Sequence, residues 1–254
     1  MHPDVALVCA ALGALGGWFV PVLVGRIPEP DPDPDPEPEP APEPDTEPDT
    51  EADTEAEPKE LYGDIAALPG LAWKSALAAA ACAGLVGLVL GWTWELLFLI
   101  PLVPVSVALA VVDWRTRLLP TRVIAPTYVV LIALVLACWL VTRDTDDLVR
   151  AGWGWLISGG LFLVLWLIHP RGMGYGDVRL SGVLGIALGY VGWGPLLLGV
   201  YGGFLLGGVG GGLLSVLKVV ERKAFPFGPF MLVGALIGVV FGESLSSYLV
   251  PGLD

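Results

Sequence analysis

Histidine and cysteine are scarce in this sequence. Its 254 residues include two histidines and three cysteines. The cysteines, Cys9, Cys82 and Cys138, each lie inside an apolar run, and their spacing matches neither a zinc site nor a disulfide framework. Because His2 and His169 are the only imidazoles, the sequence predicts no dedicated metal site and no cofactor. The cysteines are interpreted as small buried apolar side chains.

Positive charge is also sparse, since 13 Lys and Arg residues stand against 26 Asp and Glu residues. The acidic excess is confined to residues 29–60, which hold 15 acidic residues and a single base, Lys59, while the rest of the chain is nearly neutral. The sequence has no basic patch with interleaved aromatic residues, and this excludes nucleic-acid binding.

The acidic segment has almost no apolar residues to bury. From Pro28 to Pro58, proline alternates first with Asp and Glu, and the pattern then gives way to Thr and Ala. This composition predicts a disordered, extended segment whose like charges repel one another. We interpret residues 28–68 as a disordered Pro/Asp/Glu-rich linker, and favour a solvated spacer over a partner-binding tail.

Apolar residues dominate the remainder, since hydrophobic residues make up 55% of the chain and the mean hydropathy is +0.73. This composition excludes an ordinary soluble domain. It predicts an all-α integral membrane protein, a bundle of about eight transmembrane helices. The first span belongs to residues 1–27, and seven spans follow the linker in residues 69–254. The eight apolar runs are residues 5–24, 73–90, 96–112, 123–141, 153–168, 180–191, 195–217 and 230–250.

Lysine and arginine residues predict the orientation of the bundle through the positive-inside rule. If the eight spans alternate in direction, eleven basic residues lie on one side and only Arg143 and Arg150 on the other. The linker, Asp113 and Asp177 are therefore expected at the cytoplasmic face, with both termini outside. Residues 143–150 are expected to form an acidic outer loop. The first run is interpreted as a retained span, because an acidic residue and no basic residue precedes it.

Two carboxylates occupy equivalent positions at the ends of apolar runs. Asp177 closes the glycine-rich turn Gly174-Tyr175-Gly176-Asp177, and Asp113 ends the third run. A residue of this kind is solvated, paired or functional, because bare charge in hydrocarbon costs several kcal/mol. The simplest interpretation of Asp177 is that it caps the helix that follows. A second aspartate at an equivalent place favours a functional role for both.

Small residues and two further acidic residues receive structural interpretations. Ser181, Gly185 and Gly189 recur at four-residue spacing, which lets helix backbones approach closely in lipid. Glu95, at an outer turn, is interpreted as interfacial and solvated. Glu243, near the end of the last span, is left without an interpretation.

Four motifs follow one another along the chain, each at a membrane boundary. They are Gly17, Phe19 and Arg26-Ile27-Pro28; Asp113 followed by basic residues and Leu119-Pro120; the GxGD signature Gly174-Tyr175-Gly176-Asp177, continuing to Gly185 and Gly189; and Pro226-Phe227-Gly228-Pro229-Phe230. In these motifs the chain resembles the type IV prepilin peptidases. It departs from that family at Pro21 and Thr121, where Asn is usual. The resemblance covers nearly the whole chain except residues 29–68.

The resemblance implies a GxGD intramembrane aspartyl endopeptidase with Asp113 and Asp177 as its catalytic pair. It also implies prepilin or pseudopilin precursors as substrates, each with a short basic leader before an apolar helix. Cleavage is expected at the cytoplasmic face of the inner membrane, with the lipid bilayer as the other partner. Relatives often methylate the new N-terminus and carry two pairs of zinc-binding cysteines, which this chain lacks; methylation is therefore not predicted. Contacts to substrate are expected from Gly174, Gly176, Pro120, Phe227, Gly228 and Pro229.

Two other classes of function stay open at this point. A proton-coupled transporter would relay protons through the two aspartates, although such proteins tend to carry carboxylates near mid-span and broken helices in matching halves. A non-catalytic membrane scaffold would present the acidic segment to a partner. The sequence does not fix the oligomeric state or the particular precursor.

Overall fold

Helices form the regular structure of this chain. The computed structural model describes residues 1–29, 60–170, 173–216 and 226–249, of which 209–216 and 246–249 are described by their backbone alone. Within these residues there is no strand, and the prediction of an all-α protein is confirmed. The described helices are α1 (Pro3–Trp18), α2 (Val20–Gly25), α3 (Tyr62–Ala66), α4 (Leu71–Leu90), α5 (Leu96–Thr116), α6 (Thr121–Thr142), α7 (Thr145–Ile168), α8 (Tyr175–Val191), α9 (Trp193–Val216) and α10 (Gly228–Leu249).

Six helical segments of the described chain are long and apolar enough to cross a bilayer, so the protein is a multi-pass membrane protein. α1 and α2 together form one of them, with a break at Phe19 just before Pro21. The prediction of eight spans is confirmed for these six. α8 has 17 residues and α9 has 24, and their crossing of the bilayer stays a prediction. The six segments are Pro3–Gly25, Leu71–Leu90, Leu96–Thr116, Thr121–Thr142, Thr145–Ile168 and Gly228–Leu245.

Glycines bring neighbouring helices into backbone contact. Between α7 and α8, a Cβ added to Gly185 would lie 2.3 Å from the carbonyl oxygen of Gly154. Between α9 and α10, a Cβ added to Gly234 would lie 2.2 Å from the backbone nitrogen of Gly203. Small residues permit this approach, and dispersion contacts between the helices then stabilise the pair in lipid. The packing role predicted for the glycine spacing in α8 is confirmed.

The acidic outer loop predicted at 143–150 is mostly helical. α7 begins at Thr145, because the side chain of Asp144 accepts hydrogen bonds from the backbone N–H groups of Asp146 and Asp147 at 3.0 and 3.4 Å. A cap of this kind stabilises a helix by about 1 kcal/mol. The loop prediction was therefore wrong after residue 144, and the acidic residues there form the first turn of α7.

Arg150 joins α7 to the end of α8. Its guanidinium donates to the carbonyl oxygens of Gly189 and Tyr190, both at 2.7 Å, and to the carboxylate of Asp147 at 2.5 Å. The last carbonyls of a helix have no partner within the helix, so Arg150 acts as a cap for α8. Glu95 lies in the same cluster with Oε2 buried and, among the described residues, without a hydrogen-bond partner. The interpretation of Glu95 as solvated is therefore wrong for this oxygen.

The opposite end of the bundle holds α3. The carboxylate of Glu29 accepts hydrogen bonds from the backbone N–H groups of Tyr62 and Gly63, each at 3.0 Å, and thereby caps this short helix. Glu60 forms an ion pair with Arg115 of α5 at 3.2 Å. The chain on both sides of the acidic segment is therefore attached to the bundle near the end of α5.

The boundaries of the predicted linker, 28–68, differ from the structure at both edges. Residue 29 caps α3, and Tyr62 and Ile65, one helical turn apart, are buried in the core. The linker boundary was predicted from composition, and two apolar residues do not stand out in such a polar segment. Residues 30–59, which carry the predicted disorder, lie outside the described residues, as do the basic residues at 218, 222 and 223.

Candidate active site

Asp113 lies in the last turn of α5 and is 4% exposed. Its Oδ2 accepts a hydrogen bond of 2.9 Å from the backbone N–H of Gly228, the first residue of α10. A Cβ added to Gly228 would lie 2.7 Å from the same oxygen. The contact therefore requires glycine at this position, because any side chain would push the carboxylate away. This role of Gly228 gives a physical reason for the Pro-Phe-Gly-Pro motif.

Asp177 lies in the first turn of α8 and is 7% exposed. Its Oδ2 accepts a hydrogen bond of 3.1 Å from the backbone N–H of Gly174, the N-cap residue, so its predicted capping role is confirmed for one oxygen. The other oxygen, Oδ1, is buried and has no hydrogen-bond partner among the described residues. Capping therefore explains only one of the two carboxylate oxygens. The other needs a further explanation, because buried polar atoms normally have a hydrogen-bond partner.

The two carboxylates come from different helices to one end of the bundle, which we call the aspartate end. Leu119, between α5 and α6, packs against the backbone of both flanking motifs: a Cβ on Gly176 would lie 2.6 Å from Leu119 Cβ, and one on Gly228 would lie 3.4 Å from Leu119 Cδ1. Neither aspartate has an ion-pair partner in the described part of the chain. Burial without a cationic partner disfavours ionisation of both carboxylates at once.

Arg179 forms the wall of the site on the α6 side. Its guanidinium lies 4.5 Å from the centroid of the Tyr175 ring and donates to the hydroxyl of Thr121. The backbone carbonyl of Arg179 accepts a hydrogen bond of 2.9 Å from the Tyr128 hydroxyl. Thr121 stands where the resembling family usually has Asn, and its hydroxyl here links the start of α6 to the turn that carries Asp177.

The remaining predicted residues surround the pair. Pro120 is the N-cap residue of α6 and is half-buried. The ring of Phe227 packs against Phe162 with centroids 5.8 Å apart. Pro229 lines an apolar groove of about 220 Å³ between α4, α5, α8 and α10. The structure thus brings all eight predicted site residues to the aspartate end, where residues 171 and 172 lie outside the description.

Sequence reasoning missed the packing role of Leu119 and the cap formed by Arg150. Leu119 was visible within its motif, but no local pattern shows that it contacts α8 and α10. Among the described residues, no group of three or more His, Cys, Asp and Glu side chains is placed to hold a metal ion. Cys9 and Cys138 are buried and Cys82 is partly buried, all three as free thiols, which confirms their interpretation as apolar side chains.

Comparison of the sequence with known proteins points to one family. A model of the type IV leader peptidase family matches residues 97–216, a range that contains both Asp113 and Asp177. The chain is 33% identical over 150 residues to the leader peptidase HopD of Escherichia coli, an alignment that covers 57% of this chain and 91% of that protein.

Longer relatives match as well. The chain is 32% identical over 171 residues to a prepilin leader peptidase/N-methyltransferase of Pseudomonas putida, covering 63% of this chain and 57% of that protein. A protein of the same name from Pseudomonas aeruginosa is 28% identical over 173 residues, covering 67% of this chain and 58% of its own length. The chain thus spans less than two thirds of these relatives. No solved structure matches it.

Proposed function

Since this chain belongs to the type IV leader peptidase family, we propose that it is an aspartic endopeptidase that removes the leader peptide of prepilin-like precursors. One observation carries the proposal. Asp113 and Asp177 are buried, come from separate helices to the same end of the bundle, and are each held by the N–H group of a glycine. Leader peptidase is also the activity in the names of the relatives. Methyl transfer is not part of the proposal.

The proposed reaction needs one proton shared by the two carboxylates. The ionised carboxylate takes a proton from water, whose oxygen bonds to the carbonyl carbon, while the protonated carboxyl donates its proton to the carbonyl oxygen. Collapse of the tetrahedral intermediate breaks the C–N bond, and the leaving amine takes a proton from the pair. One hydroxyl of the intermediate gives its proton to the ionised carboxylate as the C=O bond re-forms, so the pair again holds one proton. Oδ1 of Asp177, unpartnered within the described residues, offers a position at which water would bind.

The residues around the pair are proposed to bind the precursor. Gly174 and Gly228 fix the carboxylates, and Gly176 lets Leu119 pack against the turn that carries Asp177. Pro120 is the N-cap residue of α6 next to Leu119, and Phe227 and Pro229 are the neighbours of Gly228 in the chain. An apolar surface beside buried carboxylates suits a substrate in which an apolar helix follows the cut bond.

We further propose that the aspartate end faces the cytoplasm and that the protein resides in the inner membrane. Four arginines, at positions 115, 117, 122 and 179, flank the pair at this end, whereas Arg143 and Arg150 are at the other. This distribution supports the orientation through the positive-inside rule. A precursor whose basic leader stays in the cytoplasm would then present its cleavage site at the level of the pair.

The two alternative functions receive no support from the geometry. Asp113 and Asp177 lie at helix ends on one side of the bundle, whereas a proton relay through a transporter needs ionisable groups along its depth. A scaffold would not require two buried carboxylates, whose burial is costly unless they have a role.

The proposal is tested with purified protein and a prepilin precursor in a cleavage assay. Asp113→Asn and Asp177→Asn are nearly isosteric and should each abolish cleavage, with the double variant no worse than either single variant, because parts of one catalytic unit are not additive. Glu243→Gln removes a carboxylate that lies outside every motif and serves as the control. More than a few per cent of the wild-type rate in either single variant, with folded protein, would show that the aspartates are not the catalytic pair.

A further inference from the structure

Leu119 lies in the short connection between α5 and α6 and is half-buried. The three atoms nearest to a Cβ added at Gly176 all belong to Leu119: Cβ at 2.6 Å, the carbonyl oxygen at 3.1 Å and Cα at 3.4 Å. The three nearest to a Cβ added at Gly228 are Oδ2 and Cγ of Asp113 and, at 3.4 Å, Cδ1 of Leu119. Leu119 thus packs against the residue that precedes Asp177 and against the residue that holds Asp113.

The hydrogen bonds of the two aspartates leave their relative position to packing. The bond from the Gly174 N–H group to Asp177 lies within one turn, and the bond from the Gly228 N–H group joins Asp113 to α10. Neither bond connects the turn of Asp177 to α5 or to α10. Leu119 makes this connection through van der Waals contact, which resists displacement because protein interiors are closely packed.

The position of Leu119 is fixed on both of its sides. Before it, the hydroxyl of Thr116, a buried residue, donates to the carbonyl oxygen of Val112 at 2.9 Å and accepts from the N–H group of Leu118 at 3.3 Å. After it, Pro120 is the N-cap residue of α6, with φ held at −68° by its ring. The side chain of Leu119 therefore projects from a constrained backbone and acts as a fixed spacer.

We propose that Leu119 is a positioning residue for the peptidase reaction, and that its δ-methyl group sets the separation between the turn of Asp177 and the glycine that holds Asp113. The inference rests on the function proposed above, in which both carboxylates act on one water molecule and one carbonyl group. Misplacement by about 1 Å costs about 100-fold in rate, so a shift of about half an ångström corresponds to about tenfold. Leu119 acts through the backbone of its neighbours and takes no part in the chemical step.

Two substitutions isolate the methyl group, because valine and isoleucine differ only in the δ carbon. In the leader-cleavage assay, Leu119→Val should lower kcat about tenfold and leave KM unchanged. Leu119→Ile should keep kcat within about threefold of the wild type, since a swap that conserves apolar volume is well tolerated. Leu118→Ala is the control: it removes a larger group from the adjacent residue, which is not among the nearest neighbours of either glycine, and should leave kcat unchanged. The unfolding temperature of each variant shows that it is folded.

A second measurement reports the spacing without the reaction. Asp113→Cys and Asp177→Cys are combined in a chain without the native cysteines and joined by a short bifunctional thiol reagent. The rate of cross-linking should differ between chains with Leu119 and with Leu119→Val. Equal rates would overturn the proposal and leave the catalytic pair intact. So would an unchanged kcat in folded Leu119→Val, an equal loss in the valine and isoleucine variants, or a rise in KM alone, which would mean that Leu119 binds substrate. Cleavage by Asp113→Asn or Asp177→Asn would instead refute the proposed function.

Discussion

Gly228→Ala is the substitution that tests most directly how Asp113 is held. The new Cβ would lie 2.7 Å from Oδ2 and 3.2 Å from Cγ of Asp113. To restore an ordinary separation of about 3.5 Å, the carboxylate must move by roughly 0.8 Å. Such a shift also weakens the 2.9 Å hydrogen bond from the Gly228 N–H group, and a hydrogen bond to a charged group contributes about 1.5–3 kcal/mol. Both estimates give a loss of about 10- to 100-fold in rate, since misplacement by 1 Å costs about 100-fold.

The assay is leader cleavage by purified protein, with kcat and KM measured separately and the thermal unfolding temperature recorded for each variant. We expect kcat to fall while KM changes little, because the carboxylate moves and the surrounding apolar surface stays in place. Gly152→Ala is the matched control, since a Cβ at Gly152 meets no atom within 4 Å and should leave kcat unchanged. If folded Gly228→Ala keeps kcat within threefold of the wild type, Asp113 is not positioned by this contact.

Three further predictions follow from the fold. Replacement of residues 31–54 by a short Gly/Ser linker should leave cleavage within tenfold of the wild type, because the cost of loop closure varies slowly with length; a larger loss in folded protein would contradict this. In a variant without the native cysteines, Asp146→Cys should react with an impermeant thiol reagent on intact cells and Thr46→Cys should not. The reverse result would invert the topology. Gly185→Ala should lower the unfolding temperature, because overpacking costs about 1–3 kcal/mol, whereas Gly160→Ala, with open space around it, should not.

Sequence patterns located the two aspartates because each lies in a local motif at the end of an apolar run. They could not reveal that Gly228 donates its N–H group to Asp113, since these residues are 115 positions apart and no periodicity links them. Leu119 shows the same limit, because its contacts with α8 and α10 depend on tertiary packing. Local patterns therefore predict which residues form the site, whereas the contacts between those residues depend on how the helix ends pack together.

Two local patterns were present in the sequence but did not lead to the correct prediction. Asp144 precedes two acidic residues in the first turn of α7, an arrangement typical of a helix start, yet the density of acidic residues suggested a loop. Tyr62 and Ile65 have helical spacing, but the polar segment before them obscured it. In both cases the prediction followed the average composition of the segment, whereas the positions of the individual residues indicated the helix correctly.

The hydrogen bonds from Tyr62 and Gly63 to Glu29 determine where this chain can tolerate an insertion. The chain leaves the bundle and re-enters it at points that touch, so the polypeptide between them has no distance to bridge. Exposed sites with adjacent ends are where proteins accept whole inserted domains. We therefore expect the chain to accept inserted segments of very different length between these points without a change in the bundle. A fluorescent reporter inserted within residues 30–59 would exploit the same freedom without disturbing the helices that carry the aspartates.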